Sequence, residues 1–170
     1  MLKVINKLSQ LKFSDLMQVY EETNLLTGRE HYPGLPETAQ LREAEQDFYE
    51  YLRSVFFRQK NAKYAIWEEH GRYLSAVRLE PYLDGVLLCA LETAPEYRRK
   101  GYGELMVKEL QLYLGGMRIY SHVAKANTPS IELHKKCGFQ IIKDYALHMD
   151  GSVFRDSVTM IYVCEKTESK

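Results

Sequence analysis

One stretch limits the fold of this chain more than any other: residues 87–114, LLCALETAPEYRRKGYGELMVKELQLYL. Its first seven residues, from Leu87 to Thr93, form an apolar run that Ala94 and Pro95 stop, the pattern of a buried strand. A basic, glycine-bearing turn follows, Tyr97-Arg98-Arg99-Lys100-Gly101-Tyr102-Gly103. From about Glu104 a helix is predicted, with Leu105, Met106, Val107, Leu110 and Leu114 at helical spacing. Such a turn favours an anion. The first N–H groups of a helix lack partners and carry the positive end of its dipole. Gly101 and Gly103 remove Cβ atoms that would hold a ligand away, and three basic side chains add charge. A G-x-G turn alone serves as well for a plain strand-to-helix connection, so the rest of the chain must decide between the two.

Upstream of this unit the pattern alternates between helix and strand. Residues 2–5 suit a short first strand. Ser14 and Asp15 suit the cap of a helix over 16–26, residues 28–36 (GREHYPGLP) suit a loop, and a long helix is predicted over about 36–59. Leu41, Ala44, Phe48, Leu52, Val55 and Phe56 carry its apolar spacing. From Ala62 the period becomes two. Strands at Tyr64 and Ile66, at 73–79 and at 86–93, with turns at 69–71 and 81–85, describe an antiparallel meander. After the central helix, Gly115-Gly116 precedes a strand at 117–123, so strand, helix and strand imply a right-handed parallel crossover. A helix over about 128–136 and a closing hairpin, 139–148 with 153–163 turned at Asp150-Gly151, complete a mixed α/β fold. The polar segment 165–170 is expected to fray.

Composition narrows the function classes. Lys plus Arg and Asp plus Glu both number 23, so the chain has no net charge and no whole-molecule basic field for nucleic acid. No apolar run approaches the roughly 20 residues that span a bilayer, and MLKVINKLSQ lacks a signal-peptide core. Cys89, Cys137 and Cys164 lie far apart without CxxC or Cys/His metal spacing. A single domain over 1–170 is expected, cytoplasmic and reduced, without metal, nucleic-acid or membrane partners.

Two segments match a known family together. Arg98-x-x-Gly101-x-Gly103 resembles the acyl-CoA signature R/Q-x-x-G-x-G/A of the GCN5-related N-acetyltransferases, abbreviated GNAT. Residues 127–139, NTPSIELHKKCGF, resemble its N-x-x-[AS]-x-x-L-[YH]-x-x-x-G-F segment. The run Asp150-Gly151, Asp156 and Met160 is similar to endings common in the family. The resemblance covers about residues 62–163 by motif and the first sixty by topology. It implies a central, mostly antiparallel mixed sheet splayed between its fourth and fifth strands and flanked by about four helices. Residues 1–60 would form an acceptor wall, 61–123 the sheet and diphosphate turn, and 124–164 the second motif and closing hairpin.

The resemblance also implies a co-substrate, acetyl-CoA. Backbone groups of Leu91 and Thr93 would pair with pantetheine like an added strand. Arg98, Arg99, Lys100, Gly101, Tyr102 and Gly103 would hold the diphosphate, in agreement with the anion turn, and Asn127 would anchor the pantetheine arm. The implied reaction moves acetyl to a primary amine of a small molecule or protein by direct attack in a ternary complex. A non-catalytic acyl-CoA-binding or sensing module is the alternative. A nucleotide-binding turn would continue as G-x-G-x-x-G, whereas this one reads G-x-G-E-L-M. A homodimer and the acyl chain preference stay open.

Transfer from a thioester needs a neutral amine, although a lysine-like amine has a pKa near 10.4, so a base or a desolvating pocket must remove a proton. His134 stands where many family members carry a tyrosine, read as acid to the leaving thiolate; its other reading is a histidine packed beside the helix end. His122, late in its strand, matches the position of a family glutamate base; its other reading is a cleft-lining histidine. Glu92, on the strand face opposite Leu91 and Thr93, can orient an amine or act through water, or be a polar strand end. Arg78 and Glu80 share a face that can line a channel, although a solvated cross-strand pair is the plainer expectation. Cys137 lacks a partner base in sequence and reads as a small buried apolar residue.

Overall fold

The computed structural model describes residues 1–164; the segment 165–170 lies outside the described residues. The chain begins with β1 (Leu2–Ile5), then α1 (Phe13–Val19), α2 (Glu21–His31) and α3 (Glu37–Ser54). The meander follows as β2 (Lys63–Glu69), β3 (Arg72–Tyr82) and β4 (Gly85–Thr93). Then come α4 (Tyr102–Leu114), β5 (Arg118–Ala124), α5 (Thr128–Lys136) and β6 (Gln140–Lys143). Two short strands, β7 (Ala146–Leu147) and β8 (Val153–Phe154), precede β9 (Ser157–Tyr162). Seven strands form one sheet in the order β1-β2-β3-β4-β5-β9-β6, antiparallel except for β4 beside β5. The mixed α/β class, the meander and the parallel crossover are as expected.

Two helix layers cover the sheet. On one face α4 presents Met106, Val107, Leu110 and Leu114 to Ala65, Val77, Leu79, Leu88, Ile119 and Met160. A fully buried Leu such as Leu110 contributes about 1.5–3 kcal/mol, which is why an amphipathic 13-residue helix settles there. On the other face Leu16, Met17 and Val19 of α1, with Leu52 of α3 and Phe56, pack on Tyr64, Ile66 and Ala76. That second layer stops at β3. Among the described residues, the same face over β4, β5 and β9 carries a small cluster of Tyr82, Leu87 and Tyr120 in place of a helix core.

The first third departs from the sequence expectation. The single helix over 16–26 is two helices, broken at Tyr20 (φ −100°, ψ 15°). Ser14 and Asp15 lie inside the first turn and do not cap it. The loop expected from Gly28 begins only at Tyr32, because Gly28 is a packing residue within α2. A Cβ there would lie 2.5 Å from the Gln40 carbonyl oxygen of α3. The long helix ends at Ser54, and a separate 3-10 turn, Phe56–Arg58, follows. The described residues thus hold five α-helices where about four were expected. The closing hairpin is interrupted: β6 pairs with β9, while β7 and β8 form their own small hairpin between them, turned at 148–152.

Candidate functional site

The central feature is a gap between β4 and β5. They pair in parallel from Gly85↔Arg118 to Leu88↔Ser121 and no further. Beyond that point β5 stays with β9 as far as Ala124↔Ser157, and β4 stays with β3 as far as Thr93↔Ser75. A β-bulge bends β4 at the same place. Ala76 faces Glu92 and Arg78 faces Cys89, so Val77 opposes both Ala90 and Leu91. Ala90 takes φ +53°, and its carbonyl accepts from the Tyr20 hydroxyl at 2.7 Å. Toward β3, the Glu92 carbonyl accepts from the Ser75 hydroxyl and the Ala94 N–H donates to the Leu74 carbonyl. Alternation then turns the backbone groups of Leu91 and Thr93 toward the gap. An extended ligand with amide groups fits such an edge.

At the end of β4 the chain enters the basic turn. Arg99 (φ +62°) and Gly101 (φ +87°) are left-handed, and the first helical bond runs from Leu105 N–H to the Gly101 carbonyl. The N–H groups of residues 99–104 have no acceptor among the described residues. A Cβ on Gly101 would meet open space, whereas one on Gly103 would lie 2.9 Å from Leu133 Cδ1 of α5. The two glycines therefore do different work: Gly101 turns the chain, and Gly103 lets α5 close on α4. Six N–H groups at the positive end of a 13-residue helix suit a diphosphate. Of the basic side chains, Arg99 and Lys100 are exposed, and Lys100 lies over the Tyr97 ring at 5.4 Å. Arg98 is already engaged: its Nε donates to the Thr93 carbonyl at 3.0 Å, and its Nη1 pairs with Glu22 of α2. Tyr102 turns away to donate to Glu69 at 3.2 Å. Asn127 caps α5, its Oδ1 accepting from the Ser130 N–H at 3.2 Å.

The titratable candidates divide between the two sides of the sheet. His134 is 2% exposed. Its Nδ1 lies 2.8 Å from the Ser130 carbonyl, which accepts only from an N–H, and its Nε2 is buried without a partner. Burial lowers its pKa, so the ring is neutral with a free lone pair at Nε2. His122 has both ring nitrogens buried and unpartnered. It stands edge-on to Tyr82 (5.2 Å) and beside His148 (5.2 Å). Burial first, then His148 and Lys143, push its pKa down to about 4. Glu92 accepts from the Thr23 hydroxyl of α2 at 2.6 Å, and burial raises its carboxyl above the usual range. Cys137 is buried, which raises its thiol pKa and suits a packing role.

A family model described as the acetyltransferase (GNAT) family matches residues 21–139. The chain belongs to that family. No curated protein matches it in sequence. Solved structures share the GNAT fold at low identity. The ribosomal-protein-S18-alanine N-acetyltransferase of Escherichia coli aligns over 100% of both chains, with 16% identity and TM-score 0.59. The PaiA N-acetyltransferase of Thermoplasma acidophilum, in complex with coenzyme A, aligns over 96% and 99%, with 16% identity and TM-score 0.60. An aminoglycoside 6′-acetyltransferase type Ii aligns over 96% of each chain, with 15% identity and TM-score 0.60.

Within this GNAT framework the sequence reading overlooked two residues at the gap. Tyr20 holds the bulge and Thr23 holds Glu92; they stand at the α1–α2 break and in the first turn of α2, where no motif marks them. For Arg78 the plainer of the two expectations needs correcting. The Arg78–Glu80 pair is not a solvated cross-strand pair: the side chains are only 19% and 21% exposed. They lie on the face that α1–α3 partly cover, with the Arg78 guanidinium over the Tyr51 ring at 5.1 Å.

Proposed function

We propose that this chain is an acetyl-CoA-dependent N-acetyltransferase acting on a primary amine by direct attack in a ternary complex. The observation that carries the reading is the conjunction of the parted β4–β5 edge with six unpartnered N–H groups at its end. The residues present suit acetyl-CoA. The N–H groups of 99–104, with Arg99 and Lys100, would hold the diphosphate, and Leu91 and Thr93 would take the pantetheine amides. The Asn127 amide nitrogen remains for the pantetheine arm while its oxygen caps α5. When bound, the thioester supplies the activated acyl group; the protein's work is positioning and proton handling.

Residues 1–60, through α2 and α3, would wall the acceptor side. There Glu92 would draw the ammonium form of the amine, and His122, neutral at working pH, would accept a hydrogen bond from the attacking nitrogen and steer its proton to water. A backbone N–H at the bulge, that of Leu91, would donate to the developing oxyanion. His134 can donate toward sulfur only after taking up a proton itself, because its one N–H is committed to Ser130. The departing thiolate, whose conjugate acid has a pKa of roughly 8.5, needs little help at neutral pH. That same commitment favours a second reading, an acyl-CoA-binding module without turnover. Structural relatives are named for a ribosomal protein, an aminoglycoside and spermidine as acceptors, so family membership leaves the amine open. Thermal shift with acetyl-CoA, followed by thiol release over an amine panel, tests the proposal. A shift with turnover supports it, a shift without turnover supports the module, and no shift refutes both.

A further inference from the structure

The acceptor face holds a cross-strand row that carries a guanidinium into the edge of the core. Tyr64, Arg78 and Cys89 are direct partners across β2, β3 and β4. The row ends at Cys89, one residue past the last β4–β5 pair at Leu88↔Ser121, so it points at the mouth of the gap. Its polar atoms are poorly matched. Arg78 Nε is fully buried and makes no hydrogen bond among the described residues. Among the described residues the one carboxylate paired with the guanidinium is Glu80, whose Oε1 lies 3.3 Å from Nε. The other groups around it, Tyr20, Tyr51, Tyr64 and Cys89, are hydroxyls and a thiol that burial keeps protonated, Cys89 being pushed up to about 12. A guanidinium has five donors. Burying one beside a single carboxylate, with a donor unmatched, costs stability that an aliphatic side chain would not.

The neighbouring row supplies the rest of a site. Glu80, Leu87 and Tyr120 are direct partners across β3, β4 and β5. Glu80, Pro81, Tyr82, Leu87, His148 and Met149, together with Asp150, line a cavity of about 220 Å³. Tyr82 fixes its outer wall by donating to the Leu147 carbonyl at 2.6 Å. A cation and a carboxylate thus stand side by side at the root of the gap, next to a hollow whose apolar and aromatic wall is Pro81, Tyr82, Leu87 and Met149.

Resting on the acetyltransferase reading, we propose that Arg78 and Glu80 select a zwitterionic acceptor: a small amine that also carries a carboxylate, with an apolar or aromatic side chain in the hollow. Arg78 takes the carboxylate through its guanidinium, which makes one ion pair among the described residues. Glu80 takes the ammonium form first and hands it on toward Glu92 beside the bulge. Arg78 is a specificity-determining residue in this arrangement and moves no proton.

The test compares amines that differ only in the carboxylate. Thiol release from acetyl-CoA is measured with L-phenylalanine against phenethylamine, L-tyrosine against tyramine and L-leucine against 3-methylbutylamine. The wild-type protein is expected to favour the carboxylated member in kcat/KM by about 100-fold, since removing it strands buried donors. Arg78→Met is expected to abolish that preference by slowing the carboxylated member, and Arg78→Lys to restore part of it, with acetyl-CoA binding kept in both. Equal or reversed preference in the wild type overturns the proposal, whatever the variants do. If no amine turns over while acetyl-CoA binds, the transferase reading fails. In that case a rise in Tm with L-phenylalanine but not phenethylamine, absent in Arg78→Met, still supports the subsite, and no such rise overturns it.

Discussion

His122 and His134 are both held neutral by burial, and that links the site to the protein's acid stability. The unfolded imidazole titrates near 6.5, whereas His122 in the folded protein titrates at about 4 and His134 is also lowered. Between those values the unfolded chain binds protons that the folded chain refuses. The stabilising contribution is therefore complete above pH 6.5 and is lost as pH falls toward 4. Glu92 acts in the opposite sense. Its raised carboxyl lets the folded state take up a proton first as the pH drops, which partly offsets the loss at the acid end. Tm is expected to stay flat above about pH 7 and to fall on acidification below it. His122→Asn and His134→Asn should each flatten part of that fall. An unchanged slope in the double variant would remove these two residues from the account.

At the level of elements, α2 and α3 show what sequence patterns left unread. Strands and helices from Tyr64 to Phe139 were legible because alternation, glycine turns and two paired motifs agreed there. The anion turn was also legible, since Arg98 to Gly103 is local in sequence. The bulge at Ala90, the Tyr20 bond that holds it and the buried Arg78–Glu80 pair were not, because each depends on which distant element covers that face of the sheet. Gly28 was misread for a related reason: a glycine reads as a helix stop unless the partner helix is known. Its real role gives a quantitative expectation. Gly→Ala within a helix normally gains about 0.8–1 kcal/mol. Here the new Cβ would lie 2.5 Å from the Gln40 carbonyl oxygen. Backbone cannot step aside as a flexible side chain can, and overpacking costs about 1–3 kcal/mol. The clash is expected to win, so Gly28→Ala should lower the unfolding free energy in urea by about 1–2 kcal/mol. A stabilised variant would show that α2 and α3 slide apart freely.

Across the whole molecule, Arg98 joins the proposed donor turn to the acceptor wall. Arg98 reaches from the turn to the Thr93 carbonyl on the gap edge and to Glu22 on the acceptor wall. A diphosphate on the turn would compete with Glu22 for the same guanidinium, and the Glu22 carboxylate repels that anion directly. Exposed ion pairs of this type contribute about 0.2–1 kcal/mol, and 1.4 kcal/mol corresponds to tenfold in affinity. Glu22→Gln is therefore expected to tighten acetyl-CoA binding, by up to about fivefold at low salt and by less as ionic strength screens the repulsion. In an Arg98→Ala background most of that gain should vanish, because the residue released by the substitution is no longer there. Titration calorimetry on the four proteins of this cycle isolates the interaction. Equal gains with and without Arg98 would mean that Glu22 acts on the diphosphate through space alone and that α2 is not tied to the donor turn. Loss of the gain would mean that donor binding frees Glu22 and with it the helix that holds Glu92, so that acetyl-CoA prepares the wall against which the amine is received.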